Sequence, residues 1–449
     1  MADVLYDGLT PTLYAAPTAQ GNGSGSSEAN AAELQALLTT AASGSIIGCL
    51  PGVYSASTNT GDHWRPVYFI ENSGTAGNPT IVVGKYDHLI YYGDTNKRCE
   101  MRNGTADNTA PWNGTGNYPV IGCYSRNYQQ WRNFYIDTQY APPYPSRGTV
   151  DTNSANHILF RKIVFNRTVT FNGSEGGADN YDCIYSQGSD DVIVEYCYAY
   201  GNAGTSIHRN MSVVKFYSVT NFEVRYCTLN GVMMGFFVKG DVLTSGNSGR
   251  IHHNRCYGAI WGFIGVGVVR PVAGGSNTVE VDHNLGYRNA EDFRFESSGD
   301  NGSTNDHRLV HSNTFVDCTG VSSNASVYGN DTTLIGEQFY DNVIAYMSST
   351  ANLTINLDGG AASGVSPFNT NLYYEAGGSA QFGNAGSTFT GIAAWRTQTS
   401  AEAASSETDP VFDNAASDNY KRTSSGDTGS STGGKRGCYE TGSEQIGAF

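Results

Sequence analysis

The run Val279-Glu280-Val281-Asp282-His283-Asn284 alternates apolar and polar residues and then ends on a His-Asn pair. Alternation at period two marks a strand with one face in a core and the other turned away from it. The same figure returns upstream as Val192 to Cys197, Phe222 to Cys227 and Ile251 to Asn254. Downstream it returns as Leu309 to Asn313 and Phe339 to Asn342. Weaker copies are expected to end at Asn133 and Lys162. The closing positions 133, 162, 197, 227, 254, 284, 313 and 342 lie 27 to 35 residues apart, mostly 29 or 30. A fixed period of that size, without a helical pattern between strands, marks stacked coils that bury their apolar faces only against one another. Leucine-rich and ankyrin repeats would show a helix or a Leu-rich motif per repeat, and propeller blades need roughly 40 to 45 residues. Asn at a tight turn can hydrogen-bond along the stack, and Cys fits the same small slot. The expected fold is all-β, a parallel β-helix.

Composition agrees. Charged residues are 15% of the 449-residue chain and Gly numbers 55, which excludes coiled coils and long bundles. The 39% apolar and 12% aromatic content supplies a core. A net charge of −15 excludes nucleic acid and anionic membrane surfaces as partners. No apolar run reaches the ~18 residues of a membrane span. Met1 to Asp7 carries neither a basic nor an apolar leader region, so the expectation is either that a leader has been trimmed or that the protein leaves its cell by another route, such as lysis. The nine Cys show no paired spacing and are expected as free, buried thiols rather than disulfides.

The ends fit a capped solenoid. Residues 27–43 read as an amphipathic helix closed by Gly44, placed to cover the first coil, and 46–54 as the first strand and turn. The expected division is an N-terminal segment with capping helix over 1–45, the β-helix over 46–365, and last coils with an irregular tail over 366–449. Three stretches carry a family resemblance. Asn30 to Leu37 followed by Leu50-Pro51-Gly52-Val53-Tyr54 resembles the N-terminal cap of pectate-lyase-like β-helix proteins. Gly74-Thr75-Ala76-Gly77-Asn78-Pro79-Thr80-Ile81 resembles a segment of their second coil. Asn371-Leu372-Tyr373-Tyr374, Asp409-Pro410-Val411-Phe412 and Arg436-Gly437-Cys438-Tyr439-Glu440 resemble their C-terminal region. The resemblance implies a single-domain right-handed parallel β-helix. It also implies a polysaccharide lyase or a phage tailspike-like protein, in a superfamily that includes hydrolases, epimerases and non-catalytic surface proteins. The chain departs from polygalacturonase-type hydrolases, because Asp190-Asp191 follows Ser189 and no Gly-His-Gly occurs.

The register assigns side-chain directions. Outward of the repeat strand run Glu195, Arg225, His252, Asp282 and His311, with Glu223, Arg250 and Glu280 beside them; these read as structural charge ladders. A zinc site at His252, His253 and His283 is the alternative. On another strand of each coil, Phe236, Phe263 and Phe293 are expected inward. That leaves Phe237/Lys239, Ile264/Val266 and Arg294/Glu296 outward, with Lys215, Tyr217 and Tyr185 on earlier coils. Insertions over 241–249, 269–276 (with Arg270) and 297–306 would wall a groove. Aromatic rings stack on sugars, and cations meet uronate or sulfate groups. β-Elimination would take Lys239 as base, with Lys215 or Arg294 pairing the carboxylate. Hydrolysis would take Glu296 with Asp292. Tyr185, Tyr217, Phe237 and Arg270 are the expected substrate contacts.

The expected function is an extracellular or virion-exposed polysaccharide-binding protein; whether it is an enzyme stays open, and if it is one the expected reaction is cleavage of acidic polysaccharide by β-elimination, with hydrolysis second. The alternative is a non-catalytic structural, decoration or adhesion protein of a phage particle or cell surface. No cofactor or metal motif is found, although the family admits Ca²⁺. Polysaccharide is the expected partner, and a homotrimer or virion partners stay open.

Overall fold

The structure is a computed structural model. It describes residues 4–55, 66–102, 119–137, 147–167, 181–201, 211–239, 246–267, 278–296, 307–320, 325–329, 337–347, 352–357, 365–422, 430–431, 436–438 and 446–447. The chain forms two compact units, Met1–Lys215 and Phe216–Gly447. Among the described residues no helix is long and apolar enough to cross a membrane.

In the second unit each coil contributes three short strands. The repeat strands Phe222–Arg225, Gly249–His252, Thr278–Asp282, His307–His311, Glu337–Tyr340 and Val365–Asn369 pair in parallel as a first sheet. Past the Asn turn, Thr228–Asn230, Arg255–Tyr257, Leu285–Tyr287, Thr314–Val316, Val343–Tyr346 and Leu372–Glu375 form a second. Met234–Lys239, Gly262–Val266, Phe293–Phe295, Ala325–Gly329, Leu353–Leu357 and Gln381–Asn384 form a third. Parallel pairing of each strand with its counterpart one repeat later is a parallel β-helix, as the period requires. The core is filled by columns of like residues, such as Val224, Ile251, Val281, Val310 and Phe339 from the first sheet, all fully buried.

The turn between first and second sheets holds the coils in register. Asn254 Nδ2 donates to Asn284 Oδ1 at 3.0 Å, Asn284 to Asn313 at 3.0 Å, Asn313 to Asn342 at 3.0 Å and Asn342 to Asn371 at 3.1 Å. Each Oδ1 also accepts the backbone N–H of the Asn one coil earlier, at 3.0 to 3.1 Å. Each Nδ2 reaches back to a carbonyl of the preceding coil, such as Val281 O from Asn313 at 2.8 Å. Cys227 opens the series, its N–H donating to Asn254 Oδ1 at 2.9 Å. At the other end Asn371 Nδ2 lies 3.3 Å from both oxygens of the buried Glu402.

The residue before each ladder position is left-handed: Tyr226, His253, His283, Ser312, Asp341 and Thr370 have φ between 52° and 56°. None is glycine, so each costs about 1–2 kcal/mol, which the buried ladder bonds offset.

The first unit is built likewise but bends differently. Gln129–Asp137 and Asn156–Asn166 run through the turn as single strands, paired in parallel. Asn133 and Lys162, expected as ladder positions, instead occupy the left-handed position, with φ of 58° and 55°. The ladder position itself falls on Phe134 and Ile163, which pair with each other and are buried. Lys162 turns outward to Asp7 at 2.9 Å and Asp87 at 2.7 Å. The capping helix is shorter than expected, Leu34–Thr40, with Leu34, Leu37 and Leu38 buried. Glu28–Asn30 is a single 3-10 turn, and Ala32–Glu33 pairs as a strand with Ala15–Ala16, because Ala31 is extended.

All nine cysteines are free and buried. In the second unit the described tail residues lie along the coils. Ser431 N–H donates to Asp341 at 2.7 Å, Gly437 N–H to Asp341 O at 2.8 Å, and Gly447 N–H to His253 O at 2.8 Å.

Replacing Asn313 by Ala removes two ladder bonds and strands buried partners. A loss of about 1–3 kcal/mol in denaturant unfolding is expected, while substitution of the exposed Asn419 should leave the midpoint unchanged.

Candidate functional site

The outward column of the third sheet in the second unit reads Phe237, Gly265, Arg294, Tyr328, Asn356 and Gly383 by register. Ile264 and Val266, expected outward, pair with Phe236 and Val238 and are buried; Gly265 holds that coil's outward place. A Cβ at Gly265 would sit 2.8 Å from Met234 Cε and 3.1 Å from Phe237 Cδ2, so its absence lets the Phe237 ring lie across the coil. Phe263 is inward as expected. Its ring approaches the place where Gly286 lacks a Cβ, at 3.1 Å.

Arg294 is the hub. Its Nε donates to Glu291 Oε1 at 2.7 Å and its Nη2 to Glu291 Oε2 at 2.8 Å, a bidentate fork. Nη1 reaches Glu296 Oε2 at 3.4 Å. The guanidinium carbon sits 4.6 Å from the centre of the Tyr328 ring and 5.6 Å from that of Trp261. Burial works against its charge, but Glu291 and then Glu296 more than compensate, and its pKa is raised. Glu291, Trp261 and Tyr328 had no place in the sequence reading. The first belongs to the turn before the strand, three residues from Arg294, and only the fold brings it underneath.

Lys239 ends its strand half-buried. Among the described residues it has no hydrogen-bond or ion-pair partner. Asp292 and Glu296 do not share a face. Asp292 points inward, where its Oδ2 accepts from Ser326 at 2.7 Å and its Oδ1 from Asn289 at 2.9 Å. Burial pushes its carboxyl up to about 7 against these bonds, with Glu291 adding to the rise.

The other expected site residues fall elsewhere. Lys215 belongs to the first unit and, rather than facing solvent, is 1% exposed, with its Nζ 3.6 Å from the buried Asp182. Asp182 also accepts from Ser212 N–H and Oγ at 2.9 and 2.6 Å. Tyr185, in the same unit, is buried and donates to Gln187 at 3.1 Å. Tyr217 is half-buried in the second unit. Arg270 and most of the three insertions lie outside the described residues.

The first sheet's outward columns have the expected register: Arg225, His252, Asp282 and His311 in one, Glu223, Arg250 and Glu280 in the other. Their pairing is diagonal. Arg250 forks onto Asp282 at 2.7 and 2.6 Å, His252 Nε2 meets Glu223 at 2.8 Å, and His311 Nε2 meets Glu280 at 3.0 Å. Among the described residues two groups could hold a metal ion, His253/Asp282/His283 and Glu280/Asp282/His311. Burial, then His283 and His252, bring the His253 imidazole down to about 4.

No family model matches the chain, and no curated protein matches it. Solved structures do. The pectate lyase Pel9A is 14% identical over 76% of this chain and 82% of that one, with a TM-score of 0.40. A mannuronic-acid-specific family 6 lyase from human gut microbiota is 10% identical over 76% and 72%, with a TM-score of 0.45. XylC, solved with xylose, is 10% identical over 81% and 83%, with a TM-score of 0.43.

Two outcomes test the site's energetics. Arg294→Met strips the buried Glu291 of its partner and should cost about 3–5 kcal/mol in chemical unfolding, whereas adding Glu291→Leu should recover most of it. Asp292 binds a proton in the folded state that an ordinary unfolded Asp, near ~4, has released. Its contribution is full below ~4 and is lost as pH rises to about 7. Melting temperatures of Asp292→Asn should therefore fall less than those of the parent between these limits. The chain's own strand pairings make it a parallel β-helix, the architecture that its resemblance to pectate-lyase-like proteins implied.

Proposed function

We propose that this is a polysaccharide-binding β-helix protein and that the glycan lies along the outward column of the third sheet in the second unit. One observation carries the reading: Trp261 and Tyr328 flank Arg294, Phe237 lies two coils before it in the same outward column, and Lys239 ends that Phe237 strand. Aromatic rings give the sugar an apolar surface to stack on, and polar groups among them read its hydroxyls and carboxylates. A cation already forked by Glu291 recognises by geometry more than by net charge.

The reaction that fits is β-elimination on a uronate. Lys239, as general base, takes the C5 proton; the electron pair forms the C4–C5 double bond, and the C4–O bond breaks as the leaving oxygen takes a proton from water. Arg294 then orients the uronate carboxylate. A polysaccharide substrate implies a place outside a cell or on a virion. The second reading is a non-catalytic structural or adhesion protein. The bidentate burial of Glu291 on Arg294 favours it, because that pair is complete without a ligand.

Incubation with a panel of acidic and neutral polysaccharides, read by unsaturated-uronate absorbance, reducing ends and binding, separates the two. Lys239→Ala should abolish release of unsaturated product while leaving binding within roughly tenfold, since a general base contributes about 10²–10⁴ in rate. Tyr328→Ala should instead weaken binding. Full turnover by Lys239→Ala excludes it as the base, and neither binding nor cleavage on the whole panel leaves the structural reading.

A further inference from the structure

Between the strands Thr80–Gly84 and Cys99–Arg102 the chain of the first unit leaves the coil and returns, forming the short helix His88–Tyr91 on the way. The polysaccharide reading makes no use of this excursion. It lies on the column Tyr135, Val164 and Tyr198, which the parallel pairing of successive coils puts in line. Leu89 packs into that column, and the Tyr92 ring meets those of Tyr198 and Tyr200 at 5.7 and 5.8 Å. The Arg98 guanidinium carbon sits 4.1 Å from the centre of the Tyr135 ring.

One imidazole closes the base of the excursion. His88 is fully buried. Its Nδ1 lies 3.0 Å from Tyr86 O at the outgoing end, and its Nε2 accepts from Cys99 N–H at 2.7 Å at the returning end. A carbonyl only accepts and a backbone N–H only donates, so both contacts are hydrogen bonds in one state alone, with Nδ1 protonated and Nε2 bare. A proton on Nε2 would set two N–H groups against each other and bury a charge. Cys99 itself pairs with Gly52 in the coil, so the returning end is anchored whether or not the excursion stays closed.

We propose that residues 86–98 form an acid-released latch over the tyrosine column of the first unit, with the neutral His88 imidazole as its catch.

The groups around the ring favour release by its protonation. Burial is the largest influence and brings the imidazole down to about 4; Arg98 adds to the fall, while the Tyr86 carbonyl and Asp87 oppose it. Asp87 already caps the helix through Leu89 N–H at 3.0 Å and pairs with Lys162 at 2.7 Å. Arg98 is paired with Glu100, and Lys85 with Glu28 at 2.6 Å. The Cys99 thiol donates to Cys49 O at 3.2 Å, and burial pushes it up to about 12. The Tyr135 and Tyr200 hydroxyls, 3.2 Å apart, are raised by burial as well, so neither they nor the thiol changes charge in acid. In the open latch the imidazole is solvated and takes its proton near ~6.5. The open form therefore binds the proton at a higher pH than the closed one, and the closed form loses ground as pH falls from ~6.5 to about 4. Acid then uncovers an aromatic face that neutral pH keeps covered. The latch lies wholly in the first unit and does not rest on the polysaccharide reading.

Hydrogen exchange on the full chain, expressed as protection relative to the free-peptide rate at each pH, tests the latch. Protection over residues 86–98 should fall roughly a hundredfold between pH ~7 and ~4, while that over the ladder segment 279–284 stays within about threefold. His88→Gln offers Cys99 N–H a carbonyl oxygen that does not titrate, so protection over 86–98 should then change by less than about threefold. Asp87 and Glu100 are kept in that variant, so a fall that they alone caused would persist in it. The pH course of the parent is a second measurement that needs no variant. A fall of up to roughly tenfold per pH unit, beginning below ~6.5, is expected of a single imidazole. The proposal is overturned by undiminished protection of 86–98 at pH ~4 in the parent, by a fall that begins only in the carboxylate range below ~4, by the same fall in His88→Gln folded by its β circular-dichroism spectrum, or by an equal fall over 279–284.

Discussion

Each ladder asparagine in the second unit satisfies its whole side-chain amide inside the protein. From Asn284 to Asn371 the oxygen takes two bonds from the coil before, while that of Asn254 takes one from Cys227 N–H, and each nitrogen gives a bond backward and a bond forward. No water is needed, and no other side chain of that size offers the same donors and acceptors at a buried corner. A slip of one residue between coils would break every rung at once and turn the first sheet's apolar column outward. The ladder is therefore what makes the stack of short strands a unique structure, since strands of three to six residues hold little register of their own.

At one end the ladder finishes on a buried acidic group. Beyond Asn371 the next acceptor is Glu402, which also takes the hydroxyls of Tyr373 and Ser405. Burial pushes that carboxyl up to about 7, against the pull of these donors. A carboxyl can accept from several donors at once, which one more asparagine could not do where the repeat stops. At the opposite end Cys227 needs only its backbone N–H to receive the ladder, which is why Cys and Asn alternate at this position without disturbing the coil.

What could be read from the sequence divides along the same line. Where the ladder residue is Asn or Cys, strand direction and outward columns follow by counting, and Arg225, His252, Asp282 and His311 do share a column. Where it is apolar, counting slips by one. Asn133 and Lys162 look like ladder residues because Asn tolerates the left-handed turn and Lys is polar, yet Phe134 and Ile163 fill the slot. On the third sheet the error had another source. Phe263 and Ile264 are both buried, so an alternating pattern could not tell which pairs with Phe236. Lys215 shows the limit of composition. A lysine between apolar neighbours reads as outward and solvated, but Asp182, 33 positions earlier, is its partner and lies in another strand.

The two outward faces of the second unit then differ in a way that bears on function. On the first sheet charges alternate between neighbouring coils, so each finds its opposite within the sheet and the surface is complete in itself. On the third sheet the outward column holds one arginine, and its acids come from Glu291 and Glu296 on its own coil. The rings above and below, Trp261 and Tyr328, contact it from adjacent coils. Coil-to-coil stacking alone would be served by repeated aliphatic or alternating charged residues. A column that changes from ring to glycine to arginine to ring gives up that regularity, and Gly265 in its middle has no side chain to stack at all. Irregularity of this kind along an otherwise periodic solenoid has a physical use where a ligand, rather than the next coil, completes the contacts.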